Sequence, residues 1–221
     1  MTNVRMGRLN RVDALSLLIV AGSLATSIAM WDSLPARVPT HFGIDGAPDG
    51  YSSRAVGALL GPGIAIVTWL VVRFGTRALP VGDARHGAGS THTTSWLACA
   101  LAAFMTVIHI AALRATSTGR LPTSIFSLAI GGLCLAFTAL FPRLRRNAFV
   151  GVRTPWALAS DENWARTHRV ASFSMLAASL AAFGAPLVAP SHAIRVAVVS
   201  LIAAALAPAL YSASLARHPS T

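Results

Sequence analysis

Six stretches of this 221-residue chain are apolar over about 17 to 19 consecutive positions: 14–30, 56–72, 95–113, 124–141, 170–188 and 193–211. A helix of that length, rising about 1.5 Å per residue, crosses a hydrocarbon core of roughly 30 Å. Lipid offers no partner for a bare N–H or C=O, so each run must close its hydrogen bonds internally as a helix. The sequence therefore predicts an all-α integral membrane protein with six transmembrane helices. Its residues are 54% hydrophobic and 11% charged, too few polar groups to coat a soluble fold of this size. The first run has the length of a signal-peptide core, but bulky Met30-Trp31-Asp32 follow it where a cleavage site needs small residues, so it reads as an anchor.

The net charge of +11 comes from eighteen basic residues, all arginine, against seven acidic ones. With the N-terminus inside, Arg5, Arg8, Arg11, Arg73, Arg77, Arg85, Arg143, Arg145, Arg146, Arg153, Arg166, Arg169 and Arg217 fall on the cytoplasmic side. Only Arg37, Arg54, Arg114, Arg120 and Arg195 fall outside. That bias follows the positive-inside rule, placing both termini in the cytoplasm. The basicity is thus a signal of topology and of attraction to anionic lipid, not of direct nucleic-acid binding. The lipid bilayer is the first expected partner.

The loops divide the chain into a two-span unit, 1–94, with an outer loop 32–55, and a four-span unit, 95–221, with an inner loop 142–169. Within the spans, Gly57, Gly61 and Gly63, then Gly131 and Gly132, then Ala177, Ala181 and Ala185 form small-residue stripes that let helices approach closely. Pro62 is expected to kink or open the second span. His109 is the main ionisable residue inside a span and reads as a hydrogen-bonded interfacial histidine, while Asp13 and Arg195 at span ends can snorkel. Cys99 and Cys134 have no metal-ligand or disulfide spacing and read as packing residues. No cofactor is implied.

The outer loop reads LPARVPTHFGIDGAPDGYSSR, where prolines, glycines and two Asp-Gly pairs predict a compact, turn-rich cap. His41, Asp45 and Asp49 either bind a metal such as zinc or manganese or order the turns by hydrogen bonding. The inner loop reads NAFVGVRTPWALASDENWARTHR. Pro155 favours an extended approach at Arg153-Thr154, and Ser160 is a helix N-cap with Asp161 and Glu162 in the first turn. Asp161, Trp164 and His168 share a face of the helix that follows, and Trp156 and Trp164 suit the headgroup zone. Arg153, Thr154, Asp161, Arg166, Thr167 and His168 together either grip a phosphate or form an internal network, with Arg153 on Asp161 as one pairing.

In these two loops the sequence resembles the SdpI-type bacterial membrane proteins. NAFVGVRTPW followed by WARTH is similar to that family's motif, and LPARVPTHFGIDGAPDG is similar to its associated small N-terminal domain of unknown function. By position the motif takes in Asn147, Phe149, Gly151, Arg153, Thr154, Pro155, Trp156, Trp164, Thr167 and His168. The resemblance implies immunity to a secreted, membrane-active peptide toxin of the sporulation-delaying type. It also implies signalling, in which the toxin-occupied protein sequesters a cytoplasmic transcriptional repressor. No residue has an assigned catalytic role. The alternative is a membrane enzyme or carrier acting on a phosphorylated lipid through Arg153, Arg166 and His168, with His168 as nucleophile or general acid/base.

Overall fold

A computed structural model describes residues 9–75, 91–147 and 150–217. Phe149 and the arginines at 5, 8, 77 and 85 lie outside the described residues. Helix α1 (Arg11–Met30) is followed by strands β1 (Arg37–Phe42) and β2 (Pro48–Ser53), then α2 (Arg54–Leu70), which widens into a π-turn over Val71–Gly75. Next come α3 (Thr91–Thr118), α4 (Thr123–Leu140), the short α5 (Pro155–Ala159), α6 (Asp161–Val188) and α7 (Ala193–Arg217). Six of these helices, all but α5, are long and apolar enough to cross a membrane.

Three levels of contact fix α1, α2 and α3 in register. At one end the Nε of Arg73 donates to both carboxylate oxygens of Asp13, at 2.8 and 2.9 Å, and the Nδ2 of Asn10 donates to the Oγ of Ser95 at 3.0 Å. Asp13 therefore does not snorkel. It is fully buried, as is Arg73, because the π-turn carries the arginine inward across α1. Asn10 and Asp13 also form a reciprocal capping box that starts α1. Val20, Ala65 and Ala102 meet midway. At the other end the Oγ of Ser27 donates to the carbonyl of Ala58 at 2.7 Å and accepts from the Nε2 of His109, also at 2.7 Å.

The Ser27 bond answers a local defect. Pro62 has no N–H, so the carbonyl of Ala58, four residues earlier, loses its helical partner. Ser27 replaces that partner from the neighbouring helix. The same device recurs in α6, where Pro186 frees the carbonyl of Ala182 and the Oγ of Ser127 on α4 donates to it at 2.7 Å. Gly61 makes the first arrangement sterically feasible, since a Cβ there would run into the His109 ring.

Helix faces sort by size as well as polarity. On α6 the buried stripe is Ala171, Met175, Ala178, Ala182 and Ala185, while Phe173, Leu180 and Leu187 point outward. The small-residue stripe expected at 177, 181 and 185 is therefore corrected: Ala177 is exposed and Ala181 half-buried. Lipid is as apolar as leucine, so large side chains gain nothing by facing inward, and backbones close up over alanine. Gly57 similarly admits Val38, which its Cβ would meet at 2.5 Å, whereas Gly63 and Gly132 face open space. Cys99 and Cys134 are buried thiols.

The outer loop is more regular than a string of turns. β1 and β2 pair antiparallel with an irregular register between Pro39 and Phe42. The hairpin tip is docked on the α3–α4 turn, where the N–H of Leu121 donates to the carbonyl of Gly46 at 2.8 Å. Gly46 has φ +79°, and a Cβ there would meet the Leu121 carbonyl oxygen at 2.6 Å.

Candidate functional site

The stretch from Arg143 to His168 lies at the end of the bundle where α1 begins and α7 ends. Asn147 closes its first bend: its Oδ1 accepts from the N–H of Val150 at 2.8 Å, and its Nδ2 donates to the carbonyls of Arg145 and Val150. Gly151 follows with φ +113°, a conformation that L side chains rarely adopt. A Cβ there would collide with the Nε2 of His168 and lie 3.1 Å from the Trp164 ring. The glycine thus lets the loop lie directly on α6.

His168 fixes that contact. Its Nδ1 donates to the carbonyl of Trp164 at 2.8 Å, leaving Nε2 as acceptor for the N–H of Val152 at 3.1 Å. Both ring nitrogens are committed to main chain, and the ring is 1% exposed, stacked on Trp164 with centroids 4.0 Å apart. It therefore offers a substrate neither a lone pair nor a proton. Trp164 is buried too, its Nε1 donating to the carbonyl of Leu144 at 2.8 Å, so it belongs to the core rather than to the headgroup zone.

A second set of bonds ties the loop to α7. The Oγ of Ser212 donates to the Oδ1 of Asn163 at 2.9 Å. Its one proton is then spent, so Thr154 must donate in the 2.6 Å contact between the Thr154 Oγ1 and the Ser212 Oγ. The Thr154 Oγ1 also accepts from the N–H of Ala157, capping α5. Thr167 fills the other lone pair of the Asn163 Oδ1 at 2.9 Å, and the Asn163 Nδ2 donates to the Ser212 carbonyl at 3.1 Å. Every group in this buried network is satisfied, which makes it a rigid fastening rather than a half-open polar site.

Ser160 caps α6 through the N–H of Asn163. Asp161 stands one turn before the packed part of α6, and its carboxylate lies 2.7 Å from the Nε of Arg146, an ion pair not aligned as a hydrogen bond. The same guanidinium donates through Nη1 to the carbonyl of Leu158 at 2.7 Å. Arg166 pairs with Glu162 on the exposed face at 3.2 Å, and Arg153 and Trp156 are exposed. The polar set drawn together from sequence thus divides. Thr154, Thr167 and His168 are turned inward, while Arg153, Asp161 and Arg166 reach the surface.

Residues 143–212 match the SdpI/YfhL protein family, and residues 18–66 match a domain of unknown function, DUF1648. The two matches support the SdpI-type family. No curated protein and no solved structure gives a significant match. The SdpI match runs from Arg143 to Ser212, so both ends of the Thr154–Ser212–Asn163 network fall inside it. Asn163, Ser212 and Arg146 are members of the site that sequence reasoning did not assign to it. Asn163 was detectable, since it precedes Thr167 by one helical turn on the buried face. Ser212 lies 49 positions from Asn163 and gave no local sign.

At the hairpin end, the His41 Nδ1 lies 2.5 Å from the Asp49 Oδ1, both largely exposed. Asp45 instead accepts from the N–H of Ala47 and lies 3.7 Å from Arg120. The three candidate metal ligands do not converge, because Asp45 is held in the turn. Among the described residues no group of three His, Cys, Asp or Glu side chains is arranged to hold a metal ion.

Proposed function

We propose that this protein gives the bacterium that makes it resistance to a membrane-active peptide toxin, as a non-enzymatic component of the cytoplasmic membrane. The observation that carries the reading is the SdpI/YfhL match over the whole fastened segment, Arg143 to Ser212. The arginine bias places both termini and this segment in the cytoplasm. There, exposed Arg153 and Trp156 are the part of the motif offered to a partner, including a transcriptional repressor that responds to toxin occupancy. Commitment of both His168 nitrogens to main chain supports a binding role over acid–base chemistry.

Expression in a toxin-sensitive strain, with a purified sporulation-delaying-type peptide as the challenge, tests this. The wild-type chain should raise the inhibitory concentration. Arg153→Ala and Arg153→Lys at matched membrane levels should both forfeit most of that gain, because lysine keeps the charge but not the planar two-point donor. Unaltered sensitivity of cells carrying the wild-type chain would overturn the resistance reading.

A further inference from the structure

Small residues let neighbouring groups close in at several points of this bundle, as Gly57 does for Val38 and Gly61 for His109. The seam between α3 and α4 is open. Its section nearest the loop end has a volume of about 510 Å³ and is bordered by His92, Trp96, Cys99, Ala139 and Arg143. The adjoining section, about 490 Å³, is bordered by Phe104, Val107, Ile125 and Leu128. Ala100, Ala103 and Ala136 line both, so the two form one continuous groove. Gly132 lies along it with nothing within 4 Å of where a Cβ would sit.

From His92 to Val107 the groove follows α3 for roughly 22 Å, more than the depth of about 15 Å that one leaflet's hydrocarbon occupies. A transmembrane helix of that length, about 10–12 Å across, fills on the order of 2,000 Å³, about twice the groove. An acyl chain is the narrower occupant. The mouth is polar and made of donors. Arg143 is exposed and anchored by one Nη1 bond to the carbonyl of Ala139, which leaves the rest of its fork available. The Nε2 of His92 accepts from the Nε1 of Trp96 at 3.2 Å, which puts the imidazole proton on Nδ1 as a further donor. Trp96 is 40% exposed, with its ring body on apolar surface and its N–H at the polar end, as suits a headgroup boundary. Among the described residues no Asp or Glu lines either section.

We propose that the α3–α4 groove binds one anionic phospholipid, its acyl chain along Ala100, Ala103 and Ala136 and its phosphate on Arg143 and His92. An arginine fork matches phosphate oxygens in two-point geometry, and an apolar trough of small side chains takes a chain but gives a headgroup nothing. Zwitterionic lipid carries the same phosphate, but its cationic group is repelled by the same mouth.

The full chain is reconstituted in phosphatidylcholine vesicles containing graded fractions of acyl-brominated phosphatidylglycerol. Quenching specific to Trp96 is read as the difference between wild type and Trp96→Phe. Brominated phosphatidylglycerol should quench at an about fivefold lower mole fraction than brominated phosphatidylcholine, the scale of one arginine near an anionic headgroup. Arg143→Gln should remove that preference. Ala136→Leu should block quenching by both lipids, and Gly132→Leu, whose side chain enters open space, serves if Ala136→Leu lowers the melting temperature. Equal curves for the two lipids would overturn the proposal. So would loss of preference in Arg143→Gln with Ala136→Leu silent, which means attraction of surrounding headgroups alone, and so would competition by inorganic phosphate without acyl contact. A change from two copies to one per complex in Ala136→Leu would assign the groove to a second chain instead. Lipid selectivity is read without any toxin, so a protein with no resistance activity still tests it.

Discussion

Ser27 offers a measurement in which the structure dictates both sign and size. Its hydroxyl satisfies the carbonyl that Pro62 releases at Ala58 and accepts the ring N–H of His109. Ser27→Ala leaves two buried polar groups without partners, each costing about 1–3 kcal/mol in a protein interior. Interhelical hydrogen bonds in membranes measure nearer 0.6 kcal/mol on average, so the lower half of that range applies to each group and the total is about 2–4 kcal/mol. Ser127→Ala strands only the Ala182 carbonyl and should cost about half as much. The decisive step is Pro62→Ala, which restores an N–H in reach of the Ala58 carbonyl. In that background Ser27→Ala should lose about 1 kcal/mol less than in the wild type, because one of its two stranded groups has regained a partner. Reversible unfolding of the four proteins, as sodium dodecyl sulfate is titrated into mixed micelles, with tryptophan fluorescence as the signal, gives the cycle. Strict additivity would show that Ser27 does not act through the proline-released carbonyl.

Two further outcomes follow from the other end of the bundle. Gly151→Ala should cost about 2–4 kcal/mol, from a left-handed backbone and a lost His168–Val152 bond, and should lower the melting temperature in detergent; unchanged melting would mean the loop does not lie on α6. Asp13→Ala should cost about 3–5 kcal/mol by leaving Arg73 charged in a buried site, whereas Asp13→Leu combined with Arg73→Met should recover most of that loss in the same unfolding titration; equal damage from the single and double variants would mean that the pair is not the element lost.

The spans were legible because length and apolarity alone decide them. So was the Ser160 cap, since a serine followed by Asp161 and Glu162 is a local pattern. What stayed hidden depends on distance along the chain. Pro62 was visible as a break, but its remedy, Ser27, lies on another helix. Asp13 and Arg73 are 60 positions apart and meet only because a π-turn follows α2. The phase of the alanine stripe on α6 was misread by one position because small residues occur on more than one face of a lipid-facing helix. The hairpin escaped notice for a different reason: prolines and glycines in 34–54 mask the alternation that marks strands, and its pairing is irregular at Pro39–Phe42.

The fastened loop separates two kinds of motif residue. Gly151, Thr154, Trp164, Thr167 and His168 have internal partners or steric reasons for their identity, and none of them presents a polar atom outward for chemistry. Arg153 sits between two pinned positions, Val152 on His168 and Thr154 on Ser212, so its main chain is held on both sides. Trp156 stands on the first turn of α5, whose cap is the same Thr154. The lock therefore orders a guanidinium and an indole at the bundle end before any partner arrives, which reduces the entropy a partner must overcome. A loop built only for stability has no need to hold exposed residues so firmly. Damage to the lock should then lower stability and resistance together, while damage to Trp156 should lower resistance alone.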